Sequence, residues 1–177
     1  MPLLALAALA ALAAPPVRAA EGQLTLPDFA SLDAKASQTV NVTLDASLIG
    51  MAARFLDPNK PEDAAVRKVI NGLKGIYVRS YTFDSDFAYP KAEVDLVRKQ
   101  LTGPGWERLV QVHDAKNHND VDIYMCVDQT KVKGLAIIAS EPREFTVVNL
   151  VGSVDLEQLH ELEGRFGIPK LQVPDKK

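Results

Sequence analysis

Residues 106–151, WERLVQVHDAKNHNDVDIYMCVDQTKVKGLAIIASEPREFTVVNLV, decide the fold. The stretch reads as four strands in succession, at 106–113, 121–127, 132–140 and 145–151. In the second, Val121, Ile123, Met125 and Val127 alternate with Asp122, Tyr124, Cys126 and Asp128, the period of two that a pleated strand requires. The third, Leu135-Ala136-Ile137-Ile138-Ala139, is apolar at every position. It belongs in the interior of the sheet, covered on both faces. Residues 114–120 form a polar hairpin loop and Glu141-Pro142-Arg143-Glu144 a tight turn, so the neighbours pair antiparallel.

Upstream lie two further strands and three helices. Val40, Val42 and Leu44 alternate with Asn41 and Thr43 in one strand, and Asp45 or Ser47 caps the helix that follows. Leu48, Met51, Ala52, Phe55 and Leu56 have the spacing of a core-facing helical stripe. Pro61, followed by Glu62 and Asp63, opens a second helix that buries Val66, Val69, Ile70 and Leu73 and closes at Asn71-Gly72. A strand over 76–83 then carries Ile76 and Val78 on one face and Tyr77, Arg79, Tyr81 and Phe83 on the other. The third helix, 91–101, turns Val94, Val97 and Leu101 inward and stops at Gly103-Pro104-Gly105. After the meander, Asp155 and Gln158 suggest a capping box for a last helix with Leu156, Leu159 and Leu162 on the sheet. The expected fold is α+β: a mainly antiparallel sheet of five to six strands, with three to four helices packed on one face.

The 177 residues suit one domain with a sizeable core. The expected organisation is a signal peptide over 1–19, a linker or N-terminal extension over 20–38, a single domain over 39–164 and a tail over 165–177. Leu3 to Ala14 is an unbroken Leu/Ala run, followed by Pro15-Pro16 and by Val17-Arg18-Ala19. That is an apolar region with a breaker and small residues at a cleavage site between Ala19 and Ala20. The run is too short to span a bilayer, and no later stretch approaches that length. The expectation is export to the periplasm or the medium.

A formal charge of −3, from 20 basic and 23 acidic residues, leaves no electrostatic footprint for nucleic acid. The single cysteine, Cys126, excludes an internal disulfide; it lies mid-strand without a C-x-x-C partner, which reads as packing.

Polar residues gather in one hairpin: His113, Asp114, His118, Asp120 and Asp122. Imidazoles and carboxylates hold divalent ions, yet the spacing matches no zinc signature, and polar residues in a hairpin loop need no special reason. Asp57, Asp63, Asp84 and Asp86 offer carboxylates for acid/base work but occupy turns and a helix start, where Asp is expected. His160 has no nucleophile beside it in the sequence. No catalytic, cofactor-binding or metal residue is assigned. The aromatic strand face, Tyr77, Arg79, Tyr81 and Phe83, is a candidate binding surface, with cross-strand packing as the plainer reading.

Four short motifs carry a resemblance: Leu73-Lys74-Gly75-Ile76, Gly105-Trp106, Ile137-Ile138-Ala139-Ser140-Glu141-Pro142, and Val147-Val148-Asn149-Leu150-Val151-Gly152. With Gly152 to Leu159, their order and spacing resemble the bacterial domain of unknown function 4252 family. The resemblance covers about 39–162. It implies an exported protein of a bacterium with an outer membrane, and no catalytic residue comes with it. Some members resemble lipoproteins; this chain departs from them, having no cysteine after the leader. The motif residues themselves read as structural.

The sequence therefore points to an exported, non-catalytic binding or regulatory domain of the cell envelope, whose partner is an envelope protein or a second copy. Two alternatives stand beside it. One is a hydrolase-type enzyme, with or without a metal, using the hairpin cluster between His113 and Asp122. The other is a structural homodimer through the open sheet face.

Overall fold

A computed structural model describes residues 21–86 and 91–153. The expected leader with its Ala19/Ala20 junction, the expected last helix with His160, and the expected tail lie outside the described residues. Within them the elements run α1 (Ala30–Asp33), β1 (Gln38–Asp45), α2 (Ala46–Ala52), a 3₁₀ turn (Ala53–Phe55), α3 (Pro61–Ile70), β2 (Leu73–Thr82), α4 (Lys91–Gln100), β3 (Trp106–Asp114), β4 (Asn119–Asp128), β5 (Lys131–Glu141) and β6 (Glu144–Gly152). The strands form one six-stranded sheet in the order β1-β2-β6-β5-β4-β3, antiparallel throughout. The fold is α+β, as the sequence pattern predicts.

The helices do not gather on one face; that expectation is corrected. The sheet has two apolar faces, and each needs a cover. On the first, Ile76, Val78, Leu135, Ile137, Val148 and Leu150 pack with Ile49, Ala53, Val66, Val69 and Ile70 from α2, the 3₁₀ turn and α3. On the second, Tyr81, Ala136, Ile138, Phe145 and Val147 pack with Val94, Val97 and Leu101 of α4 and its C-terminal end, and with Leu24, Phe29 and Leu32. Residues 24–36, within the stretch 20–38 expected as a linker or N-terminal extension, thus contribute to the core. Burying a Val, Leu, Ile or Phe side chain contributes about 1.5–3 kcal/mol, which favours covering both faces.

A buried asparagine holds the N-terminal segment in place. Asn149, fully buried in β6, accepts the Leu24 N–H at 2.8 Å and donates to the Gly22 carbonyl at 2.9 Å. Gly22 runs so close to β5 that a Cβ on Gly134 would lie 2.6 Å from the Gly22 oxygen.

Two local expectations change. Leu73 is the first residue of β2 rather than the end of a helix. In α2 the buried residues are Ile49 and, in the next turn, Ala53, whereas Leu48, Met51 and Phe55 are 40%, 50% and 90% exposed. The inward face of the helix is thus Ile49 and, four residues on at the start of the 3₁₀ turn, Ala53, and the turn carries Phe55 outward. Asp45 caps α2, accepting the Leu48 N–H at 2.8 Å.

The motif glycines are structural. The Tyr77 ring lies over Gly75, where a Cβ would meet it at 2.7 Å. Gly152 has φ +123°, and a Cβ there would meet the Gly72 oxygen at 2.4 Å. Pro142 sits in the two-residue turn between β5 and β6.

Candidate functional site

Period-two alternation puts Asp122, Tyr124 and Cys126 of β4 on the sheet's second face, all buried. An aspartate there has to find charge partners, because an isolated buried carboxylate is costly. Two arginines supply them from different elements. Arg98, in the last turn of α4, donates from Nη2 to Asp122 Oδ2 at 3.3 Å. Arg108 of β3 brings Nη1 to 3.7 Å from Oδ1, an ion pair outside hydrogen-bond range. Oδ1 is consequently buried with no hydrogen bond. The two arginine side chains are 38% and 48% exposed, while that of Asp122 is 7% exposed.

These groups line a recess of about 340 Å³ together with Gln111, His113, Asp120 and Tyr124. Register explains the grouping: Gln111 pairs with Asp122, His113 with Asp120 and Arg108 with Tyr124 across the β3–β4 ladder. A bulge between Arg108 and Val110 absorbs Leu109, which keeps Arg108 and Gln111 on the same face.

The hairpin cluster separates into unrelated parts. His113 Nδ1 lies 2.5 Å from Asp120 Oδ1 at the rim, with side chains 69% and 42% exposed. Asp114 organises the loop instead, accepting the N–H groups of Lys116 and Asn117 at 3.0 Å and the Asn117 amide at 2.7 Å. Those bonds, first the Asn117 backbone N–H, hold its carboxyl below the usual range. His118 is exposed at φ +55° in the turn. Among the described residues no group of three or more His, Cys, Asp and Glu is placed to hold a metal ion.

The other carboxylates also have local duties. Asp57 accepts the Asn59 N–H at 3.0 Å, Asp63 accepts the Asp57 N–H at 3.0 Å, and Asp86 pairs with Arg143 at 3.1 Å. Asp84 is exposed in a loop. Burial raises the pKa of the Cys126 thiol, and the Glu21 carboxylate adds to the effect.

The aromatic strand face is corrected residue by residue. Tyr81 and Phe83 are 1% and 4% exposed and belong to the core. The Phe29 ring meets Tyr81 edge-on, with centroids 5.8 Å apart. Tyr77 and Arg79 stay half-buried, Tyr77 over Gly75 and Arg79 donating to the Val42 carbonyl at 3.2 Å. The N-terminal segment covers the Tyr81 and Phe83 end of that face.

A larger recess, about 750 Å³, opens by Lys74, Lys131, Lys133 and Ser153. It borders residues 21 and 153, where the described segment begins and ends, and Lys133 is engaged by Glu21 and Asp128 at 3.5 Å each. The Asp122 recess, with its buried charge, is the better-built site.

Sequence reasoning passed over Arg98 and Arg108. A signal was present: Arg108 shares strand parity with Trp106, and Asp122 shares it with Tyr124 and Cys126. Pairing the strands in register brings an arginine next to a carboxylate on an apolar face. Arg98 follows the buried Val97 and needed the docking of α4 to be placed.

No curated protein and no solved structure matches the chain. The profile of a family described as a domain of unknown function (DUF4252) matches residues 33–162, which takes in β1 through β6 with the helices between them. The chain belongs to the DUF4252 family.

Proposed function

We propose that this is an exported binding or regulatory domain of the cell envelope, and that it holds its ligand in the Asp122 recess. One observation carries the binding reading: a buried carboxylate gathers two arginines from different elements at the wall of a concave site. Arginine stays charged at any physiological pH, so this machinery recognises charge rather than moving protons. Export rests on the leader-like residues 1–19. A second reading, a hydrolase-type enzyme, is favoured by the His113–Asp120 pair at the rim, an arrangement that can work as a general base.

The test has two parts. The full chain, expressed in a bacterium with an outer membrane, is expected in the periplasmic fraction with Ala20 as its first residue. Cytoplasmic retention with an intact N-terminus overturns export. The purified domain is then screened against small solutes by thermal shift and against chromogenic esters and phosphates for turnover. Saturable shifts without turnover support a binding domain. Turnover lost in His113→Ala establishes the enzyme instead.

A further inference from the structure

We propose that the recess is an oxyanion site, in which Arg98 and Arg108 bind the carboxylate or phosphate group of a small ligand and Asp122 is the positioning residue for both. The proposal rests on the binding reading above and names its chemistry.

A guanidinium has five N–H donors in a planar fork that matches two oxygens of a carboxylate or phosphate. Towards Asp122, Arg98 offers one nitrogen at 3.3 Å and Arg108 one at 3.7 Å. Neither is otherwise bonded among the described residues, and both side chains are substantially exposed. Most of the donor capacity therefore remains for a ligand. Arg98 and Arg108 balance Asp122 and Asp120 in the recess, and the Asp120 carboxylate is turned to His113, which leaves the two arginines facing a single aspartate.

A purely structural ion triad would be expected to close to about 2.8 Å, the usual length of a charge-assisted hydrogen bond. Here Oδ1 of a 5%-exposed aspartate is left without one. Buried polar atoms are rarely left unbonded, and one that is calls for an explanation. The loose contact leaves Arg108 free to turn its fork onto an incoming oxyanion while Asp122 still holds Arg98. The recess, about 340 Å³, is at the small end of ligand sites and suits a small acid rather than a polymer.

The probes are inorganic phosphate and succinate, titrated at constant ionic strength into ¹⁵N-labelled protein while the Arg Nε–H resonances are followed. Saturable shifts of the Arg98 and Arg108 signals are expected, with the stronger probe telling phosphate from carboxylate. Arg98→Lys/Arg108→Lys keeps the charge and removes the fork, and should weaken binding about tenfold or more, as expected for loss of bidentate pairing. Asp122→Asn separates positioning from charge. It makes the site more positive, so field alone predicts tighter binding, whereas loss of arginine orientation predicts weaker binding.

No saturable shift with either probe in the folded wild type overturns the oxyanion assignment, as does binding unchanged in the lysine variant. Tighter binding by Asp122→Asn overturns the positioning role. If a solute from the wider screen binds equally well to the lysine variant, the oxyanion assignment falls while the binding reading stands. If nothing binds in either experiment, both fall.

Discussion

Asn149 Oδ1 lies 2.8 Å from the Leu24 amide nitrogen, a hydrogen bond between residues 125 positions apart that holds the N-terminal segment against the second face of the sheet. The same side chain donates to Gly22 at 2.9 Å and to Leu135 at 3.2 Å. Both of its N–H donors and its carbonyl oxygen are engaged inside the protein, where water cannot substitute.

Replacing Asn149 by Leu keeps most of the volume and removes all three bonds. The Leu24 N–H and the Gly22 carbonyl are left without their partner, and each orphaned buried group costs about 1–3 kcal/mol. Urea denaturation should show a loss of about 2–6 kcal/mol on that basis. Hydrogen exchange should show the Leu24 amide losing protection first. A loss near zero with Leu24 still protected would mean that the segment is held by its apolar side chains alone.

Gly134→Ala attacks the same contact from the other side. Its Cβ would lie 2.6 Å from the Gly22 oxygen, 2.9 Å from the Gly22 Cα and 3.0 Å from the Leu150 oxygen, all of them backbone atoms. Either the N-terminal segment lifts or the sheet shifts, at about 1–3 kcal/mol. Because Asn149 and Gly134 hold one segment, the double variant should lose less than the sum of the singles, which a double-mutant cycle measures.

Phe29 is the plug of the second core, 1% exposed between Tyr81 and Phe145, with ring centroids at 5.8 and 5.7 Å. Phe29→Ala should destabilise by about 3–5 kcal/mol, the usual cost of a large-to-small change at a buried aromatic. The same variant should expose Tyr81, read as quenching of its fluorescence by acrylamide.

The Tyr81 phenol has its pKa raised, first by burial and then by the carboxylate of Asp33. The folded pKa exceeds the unfolded one, so the folded state holds this proton more tightly. Its contribution is fully present below the unfolded pKa, about 10, and is lost as pH rises through the folded value. Tyr81 should ionise in the folded protein only at higher pH than in the unfolded chain. Phe29→Ala should lower its titration point. Ultraviolet titration checks both.

Cys126 is 6% exposed and its thiol pKa is raised by burial, with Glu21 adding to the shift. The reactive species is the thiolate, so Ellman's reagent at pH 8 should label the native protein at least tenfold more slowly than the urea-unfolded chain. Equal rates would contradict the packing of residues 21–22 over this part of β4.

Much of the fold is legible in local pattern, because strand alternation, apolar runs and turn residues act over a few neighbours. That is how the four-strand meander, the Pro61 helix start and the buried Val94, Val97 and Leu101 emerge from the chain. The α2 stripe misleads because Leu48 and Met51 share a helical period, yet the helix turns Ile49 and then Ala53 to the sheet instead. The family motifs hold for the same local reason: Gly75 and Gly152 occupy positions where a Cβ meets Tyr77 or backbone.

Local pattern cannot assign partners across the sheet. Tyr81 and Phe83 have the alternation of an exposed aromatic face, and only the return of residues 21–36 onto that face makes them core. His113, His118 and Asp114 are neighbours in sequence but turn to separate tasks once the hairpin closes. Arg98 and Arg108 are ten positions apart, on a helix and a strand, and meet at Asp122 only because α4 crosses the second face over β4. The chain's local chemistry set the elements and the apolar faces. The site arose from long-range docking, since burying both faces of one sheet is what brings distant charges to a single carboxylate.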